Sequence, residues 1–201
     1  MDFTKIKANL EEQGYLVTYF DNAQQASDYL EKSIKGKTVG IGGSVTVQQM
    51  ELYEKLSYHN KIYWHWRLEE GMTQEDTRAL ASNADIYLSS VNGIAETGEI
   101  INIDGNGNRV SEIMYGHEKV YLIIGENKIE PDYEKALHRA RNIAAPLNAK
   151  RLNKKTPCAL NADKCYDCKS PDRICRGLSV LWRKPESCEY EIILIHEELG
   201  Y

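Results

Sequence analysis

Apolar residues along this chain arrive in two rhythms. Short runs, Tyr15-Leu16-Val17-Thr18-Tyr19-Phe20, Thr38-Val39-Gly40-Ile41, Ile62-Tyr63-Trp64-His65-Trp66, Ile86-Tyr87-Leu88 and Val120-Tyr121-Leu122-Ile123-Ile124, are bounded by polar residues and glycine. Runs of this length between turn residues predict strands, several of them buried on both faces. Between the runs, apolar residues fall three and four apart, as in Phe3, Ile6 and Leu10, or Tyr133, Ala136, Leu137 and Ala140. That spacing predicts amphipathic helices over residues 2–13, about 23–34, around 50–56 and about 131–148. A further helix is expected over 73–83, with Thr73 as its cap. Two closing strands are expected near residues 178–182 and 192–196. The alternation predicts an α/β fold, a mainly parallel sheet with helices on both faces. A single domain over residues 1–201 is expected, with about 151–177 as an irregular loop carrying neither rhythm.

Two polar bends at strand ends carry candidate chemistry. Gly40-Ile41-Gly42-Gly43-Ser44 takes a strand into a helix, and free backbone N–H groups there suit an anion. No Gly-Lys-Ser/Thr follows, and Val45 stands where a dinucleotide fingerprint has its third glycine. The competing reading is a tight turn with Ser44 as helix cap. The second bend holds Asn92, Gly93, Glu96, Thr97 and Gly98. A carboxylate among small residues at a strand end can serve as base or nucleophile, or be a solvated turn acid. Parallel strands deliver such turns to one edge of the sheet. Gly42, Gly43, Ser44, Asn92, Gly93, Thr97 and Gly98 are therefore expected to bind a small anionic metabolite in one cleft, with Glu96 as the catalytic group.

Two other features are set aside. Asp104-Gly105-Asn106-Gly107-Asn108-Arg109 begins like a calcium loop, but Arg109 stands where glycine is required and Tyr115 where the bidentate glutamate belongs. It reads as a turn leading into a short helix. His65, between Trp64 and Trp66, reads as a core-edge histidine rather than an acid–base group.

A net charge of −5 implies no basic face, which argues against nucleic acid and anionic membranes as partners. No run approaches the roughly 20 apolar residues of a membrane span. The first residues are charged throughout and lack the apolar core of a signal peptide. A soluble, cytoplasmic protein is expected.

Cysteine changes the picture most. None occurs before Cys158; then Cys158, Cys165, Cys168 and Cys175 follow in C-x6-C-x2-C-x6-C spacing. Four thiolates in a polar loop suit a metal centre, either tetrahedral zinc or an iron–sulfur cluster, and the spacing does not choose between them. Lys164, Lys169, Arg173 and Arg176 would offset their charge. Cys188, among Glu186, Glu189 and Glu191, falls outside the symmetric spacing.

With these residues in hand, the chain resembles the lactate-utilisation (LUD-domain) family. The resemblance rests on Gly42-Gly43-Ser44, Ala84-Asp85, Ser89-Ser90-Val91-Asn92, Glu96-Thr97-Gly98, Asn102 to Val110, Gly125-Glu126-Asn127-Lys128-Ile129 and Ala144-Ala145-Pro146-Leu147-Asn148-Ala149. It implies a fold similar to the sugar-phosphate isomerase and CoA-transferase superfamily. It also implies an accessory or redox role in oxidation of lactate or a similar hydroxy acid, alongside other lactate-utilisation proteins. On that reading the cysteines carry a 4Fe–4S cluster. The alternative is a ligand-binding or group-transfer enzyme of the isomerase/CoA-transferase type with a structural zinc. The tandem C-x2-C-x2-C motifs of the larger cluster-bearing component are missing.

Overall fold

The computed structural model describes residues 2–201. Its strands are β1 (Leu16–Phe20), β2 (Thr38–Ile41), β3 (Lys61–Trp64), β4 (Ile86–Ser89), β5 (Gly93–Ala95), β6 (Ile100–Asp104), β7 (Lys119–Gly125), β8 (Ile129–Glu130), β9 (Gly177–Leu181) and β10 (Glu189–Ile195). Its helices are α1 (Thr4–Glu12), α2 (Ala23–Ser33), α3 (Val45–Gln49), α4 (Leu52–Leu56), α5 (Gln74–Ala81), α6 (Asn108–Met114), α7 (Tyr133–Arg139), α8 (Ala145–Arg151) and α9 (Pro157–Asn161).

Six strands form one sheet in the order β1-β10-β7-β4-β2-β3, with every pairing parallel. Side chains alternate across a strand, so each strand feeds two cores. On β7, Val120, Leu122 and Ile124 enter one core while Tyr121 and Ile123 enter the other; on β10, Ile192 and Leu194 oppose Ile193 and Ile195 in the same way. Phe3, Ile6 and Leu10 of the α1 region cover the first face. Ala26 and Leu30 of α2, with Leu52 and Leu56 of α4, cover the second. Burying each large side chain contributes about 1.5–3 kcal/mol, which is why the apolar runs and stripes find each other.

A smaller sheet, β8-β5-β6-β9, was not foreseen from the sequence. Its β5–β6 and β6–β9 pairings are antiparallel and β5–β8 is parallel. Ile94, Ile100 and Leu181 face the first core, while Ala95 and Ile101 pack on Ala136 and Ala140. The small sheet thus lies between the large sheet's core and α7. Gly93 makes this fit possible: a Cβ there would come within 2.6 Å of the Ala136 carbonyl oxygen.

Other differences from the sequence reading are local. The helix expected over 131–148 is interrupted by a π-helical turn, Ala140–Ala144. The helix expected around 50–56 is α4, and the shorter α3 precedes it, the two separated where Glu51 takes a left-handed φ of 52°. Within the loop expected at 151–177, Thr156 caps the short α9. Among the described residues, no helix is long and apolar enough to cross a membrane.

Candidate functional site

Because the large sheet is parallel, β2, β3, β4 and β7 release the chain at one edge. There β2 leads into Gly42-Gly43-Ser44, β3 into His65-Trp66 and β4 into Ser90-Val91-Asn92. A one-turn 3-10 helix, Glu126–Lys128, follows β7. The buried Trp64 ties two of these turns together by donating its indole N–H to the Gly42 carbonyl at 3.1 Å. Ser44 caps α3 by accepting from the Val47 N–H at 3.2 Å.

A cavity of about 530 Å³ opens at this edge. Gly43, His65, Trp66, Asn92, Asp104 and Arg109 are among the residues that line it. Arg78, Arg151, Lys154, Arg173 and Arg176 complete it. Most of these cations are held by neutral acceptors. Arg109 Nη2 donates to Asn92 Oδ1 at 2.9 Å and to the Ile103 carbonyl at 2.6 Å. Arg151 Nε and Nη2 both donate to Asn148 Oδ1, and its guanidinium lies 4.8 Å from the Trp66 ring centroid. Arg176 donates to the carbonyls of Arg173 and Pro171. Arg78 Nη2 donates to Gln74 Oε1, while its buried Nε has no partner. The two lining carboxylates are partly occupied. Asp104 accepts from the backbone N–H groups of Gly105, Arg109 and Val110, and Asp172 lies 3.9 Å from Lys154. The cavity is therefore electropositive in a chain of net charge −5. A concave wall of one sign concentrates oppositely charged ligands.

His65 belongs to this cavity. Burial, with the nearby Arg78 cation, pushes its imidazole down to about 4, so it is neutral near pH 7. A neutral imidazole can accept a proton or a hydrogen bond from a ligand.

A narrower hollow of about 30 Å³ adjoins the cavity, lined by Gly43, Ser44, Thr46, Ser90, Asn92, Arg109 and Lys128 among others. Lys128 is buried, and its Nζ donates to Thr46 Oγ1 and Ser90 Oγ, each at 2.8 Å.

Of the residues expected to converge, Gly43, Ser44 and Asn92 do line these spaces. Gly42 lies behind them, against Tyr87, Ser89 and Arg109. Gly93, Glu96, Thr97 and Gly98 line neither. The physical reason is the small sheet: β5 carries the chain away to α1. Glu96 pairs there with Lys5 at 2.7 Å, and its carbonyl accepts from Asn9 at 2.6 Å. The Thr97 carbonyl accepts from Gln13 at 2.9 Å. No cavity role for the arginines or for Lys128 was read from the sequence, which placed Arg173 and Arg176 only beside the cysteines. The one available signal was position, since Lys128 follows a buried strand just as Ser44 and Asn92 do.

Cys158, Cys165, Cys168 and Cys175 line one small hollow, with Arg141, Thr156 and Arg173 beside them. Donors point at the sulfurs: Asp167 N–H to Cys165 at 3.3 Å, Arg173 Nη2 to Cys175 at 3.4 Å, and Arg141 Nη2 to Cys165 at 3.9 Å. The π-helical turn also presents Asn142, whose Oδ1 accepts from the Cys165 N–H at 3.0 Å. Such turns concentrate at functional sites. Cys188 is buried elsewhere, in the first core. Among the described residues, no three His, Cys, Asp or Glu side chains are gathered closely enough to hold a single metal ion. Four thiolates are a donor set that tetrahedral zinc and an iron–sulfur cluster both take, and hydrogen bonds to sulfur are among the features that tune a cluster.

Together these features define an α/β protein with an electropositive cavity walled on one side by a cysteine-rich loop. The chain belongs to the LUD domain family, whose sequence profile matches residues 3–195. A crystal structure of a DUF162 family protein from Deinococcus radiodurans superposes with a TM-score of 0.53 at 12% identity, covering 97% of this chain and 99% of that one. That likeness shows the fold. The crystal structure of eIF2B beta from Chaetomium thermophilum matches 66% of this chain and 44% of its own at 13% identity and a TM-score of 0.34, too low to carry an argument. No curated protein matches the chain by sequence.

Proposed function

We propose that this LUD-domain protein is an accessory or redox component in the oxidation of lactate or a related hydroxy acid. It binds a small anionic metabolite in the electropositive cavity, and its four loop cysteines hold a 4Fe–4S cluster beside it. The observation that carries this reading is Arg173. It lines the ligand cavity and the cysteine hollow, and it donates to the Cys168 carbonyl at 2.7 Å and the Cys175 sulfur at 3.4 Å. Ligand and cluster would share a wall of Ala145, Arg173 and Ile174, in which Arg173 is the charged residue.

Cys158, Cys165, Cys168 and Cys175 would hold the cluster, and Arg141 and Arg173 would offset its charge. When bound, the cluster supplies one-electron transfer. The chain's own residues do the rest. The lining arginines and Asn92 orient the carboxylate, and the neutral His65 offers a hydrogen-bond acceptor beside it. A partner that completes the two-electron oxidation is required, which fits an accessory role among other lactate-utilisation proteins.

The test is anaerobic purification and reconstitution, with iron, sulfide and zinc analysis and titration of lactate and pyruvate. About four irons per chain, lost in Cys165→Ser and Cys168→Ser, together with saturable binding of either acid, is expected. Stoichiometric zinc without iron would favour the group-transfer reading. Absence of both metals would remove the cysteine part of the proposal.

A further inference from the structure

The inner end of the cavity holds a group that this reading leaves unused. Lys128 is 3% exposed, and its side-chain hydrogen bonds go only to the hydroxyls of Thr46 and Ser90. Among the described residues no carboxylate pairs with it. The charged side chains facing it are cations, Arg109 of α6 and Arg139 beside the π-helical turn. Arg139 is itself committed to the carbonyls of Asn127 and Asn92, each at 2.7 Å. Tyr201 of the C-terminal segment also lines the hollow, and burial raises its phenol, so it stays neutral. A buried ammonium without a counter-ion is costly, and such a group either gives up its proton or waits for an anion.

We propose that Lys128 is the inner anchor of the ligand site: an anionic oxygen of a carboxylate or phosphoryl group binds Nζ, and the amine takes up one proton from solvent as it does so. This rests on the reading of the cavity as an anion site and names the contact that terminates it. Thr46 and Ser90 fix Nζ at the wall of the hollow that Asn92 and Arg109 share with the main cavity, so a ligand held by those two presents its anionic end to the amine.

Burial first, then the Arg139 and Arg109 charges, hold the empty-state amine well below its ordinary range. A bound anion reverses that balance and returns the amine to its charged form. The linkage follows: binding consumes a proton, so affinity rises as pH falls between the empty-state and bound-state values and is pH-independent below both.

The experiment is calorimetric titration of the full chain with malonate and, separately, with orthophosphate, at pH 8 in two buffers of different ionisation heat. Saturable binding of one anion with uptake of about one proton is expected, and Lys128→Met should weaken it at least tenfold and abolish the uptake. Malonate binding assigns a carboxylate ligand, and phosphate binding a phosphoryl one. Binding without proton uptake, or unchanged affinity in a folded Lys128→Met, overturns the role of Lys128 and leaves the cavity reading standing. No binding of either anion by the wild type overturns both. If Lys128→Met does not fold, the proton count of the wild type decides alone.

Discussion

Arg173 grips Cys175 twice, donating from Nε to its carbonyl oxygen at 3.1 Å and from Nη2 to its sulfur at 3.4 Å. The same side chain faces the ligand cavity, so its loss should disturb two properties together. Arg173→Ala is expected to halve the iron retained after reconstitution, or worse, and to weaken anion binding several-fold. Arg173→Lys should recover binding but not iron, because an ammonium supplies charge without the planar fork. Iron analysis and titration on one preparation check this, and independent behaviour of the two readouts would separate the sites.

Arg151 stacks on Trp66 and takes only neutral acceptors, so its charge is available to a ligand. Arg151→Ala should cost about 1.5–3 kcal/mol of anion affinity, the worth of a hydrogen bond to a charged group. Trp66 fluorescence should report binding. Raising salt from about 0.1 M to 1 M shortens the screening length from about 10 Å to 3 Å and should weaken binding in the wild type more than in Arg151→Ala. Equal salt sensitivity would remove Arg151 from the site.

Away from the cavity, His117 and Glu112 form a buried pair, Nε2 to Oε2 at 2.9 Å, with His117 Nδ1 on the Ala84 carbonyl at 2.7 Å. Burial alone would raise the Glu112 carboxyl, but hydrogen bonds with His117 and Ser82 outweigh it and hold the group below its usual 4.5. A lowered folded-state value stabilises the fold above the unfolded value, and that contribution is lost as pH falls through the lower one. Glu112→Gln should cost about 1–3 kcal/mol near pH 7. It should also flatten the loss of Tm below about pH 4.5 seen in the wild type. Parallel melting curves for the two proteins across pH 3 to 7 would count against it.

Glu96 lies with α1 instead of in the cavity, and its ion pair with Lys5 is partly exposed. Glu96→Gln should leave anion affinity unchanged and alter stability by no more than about 1 kcal/mol. Its neighbour in sequence behaves oppositely: Gly93→Ala must push against the Ala136 carbonyl and should cost about 1–3 kcal/mol. A large loss of binding in Glu96→Gln would return that carboxylate to the chemistry.

These contrasts show what the sequence could and could not convey. The apolar run Thr38–Ile41 became β2 with no change of boundary. Thr73 and Asp76 formed the capping box that a Thr at a helix start suggests. Both are local, decided within a few residues. The small sheet is not. Its strand β5 spans Gly93–Ala95, where a glycine and small residues read as a bend, and β6 finds β9 from far along the chain. Lys128 in a polar run looks like any surface lysine until tertiary packing buries it. The candidate site was legible as an edge, through Ser44 and Asn92, but not as a charge distribution, since its arginines arrive from α5, α6, α8 and the cysteine loop.

Strand β10 lies between β1 and β7. In the sheet order β1 is an edge strand, so of the described strands the earliest made pairs with the latest. Synthesis must run past the cysteine loop before the sheet can close, and contacts of such long sequence separation fold slowly. The loop therefore emerges while its supporting sheet is still open. If those thiols hold the proposed cluster, its delivery competes in time with completion of the fold.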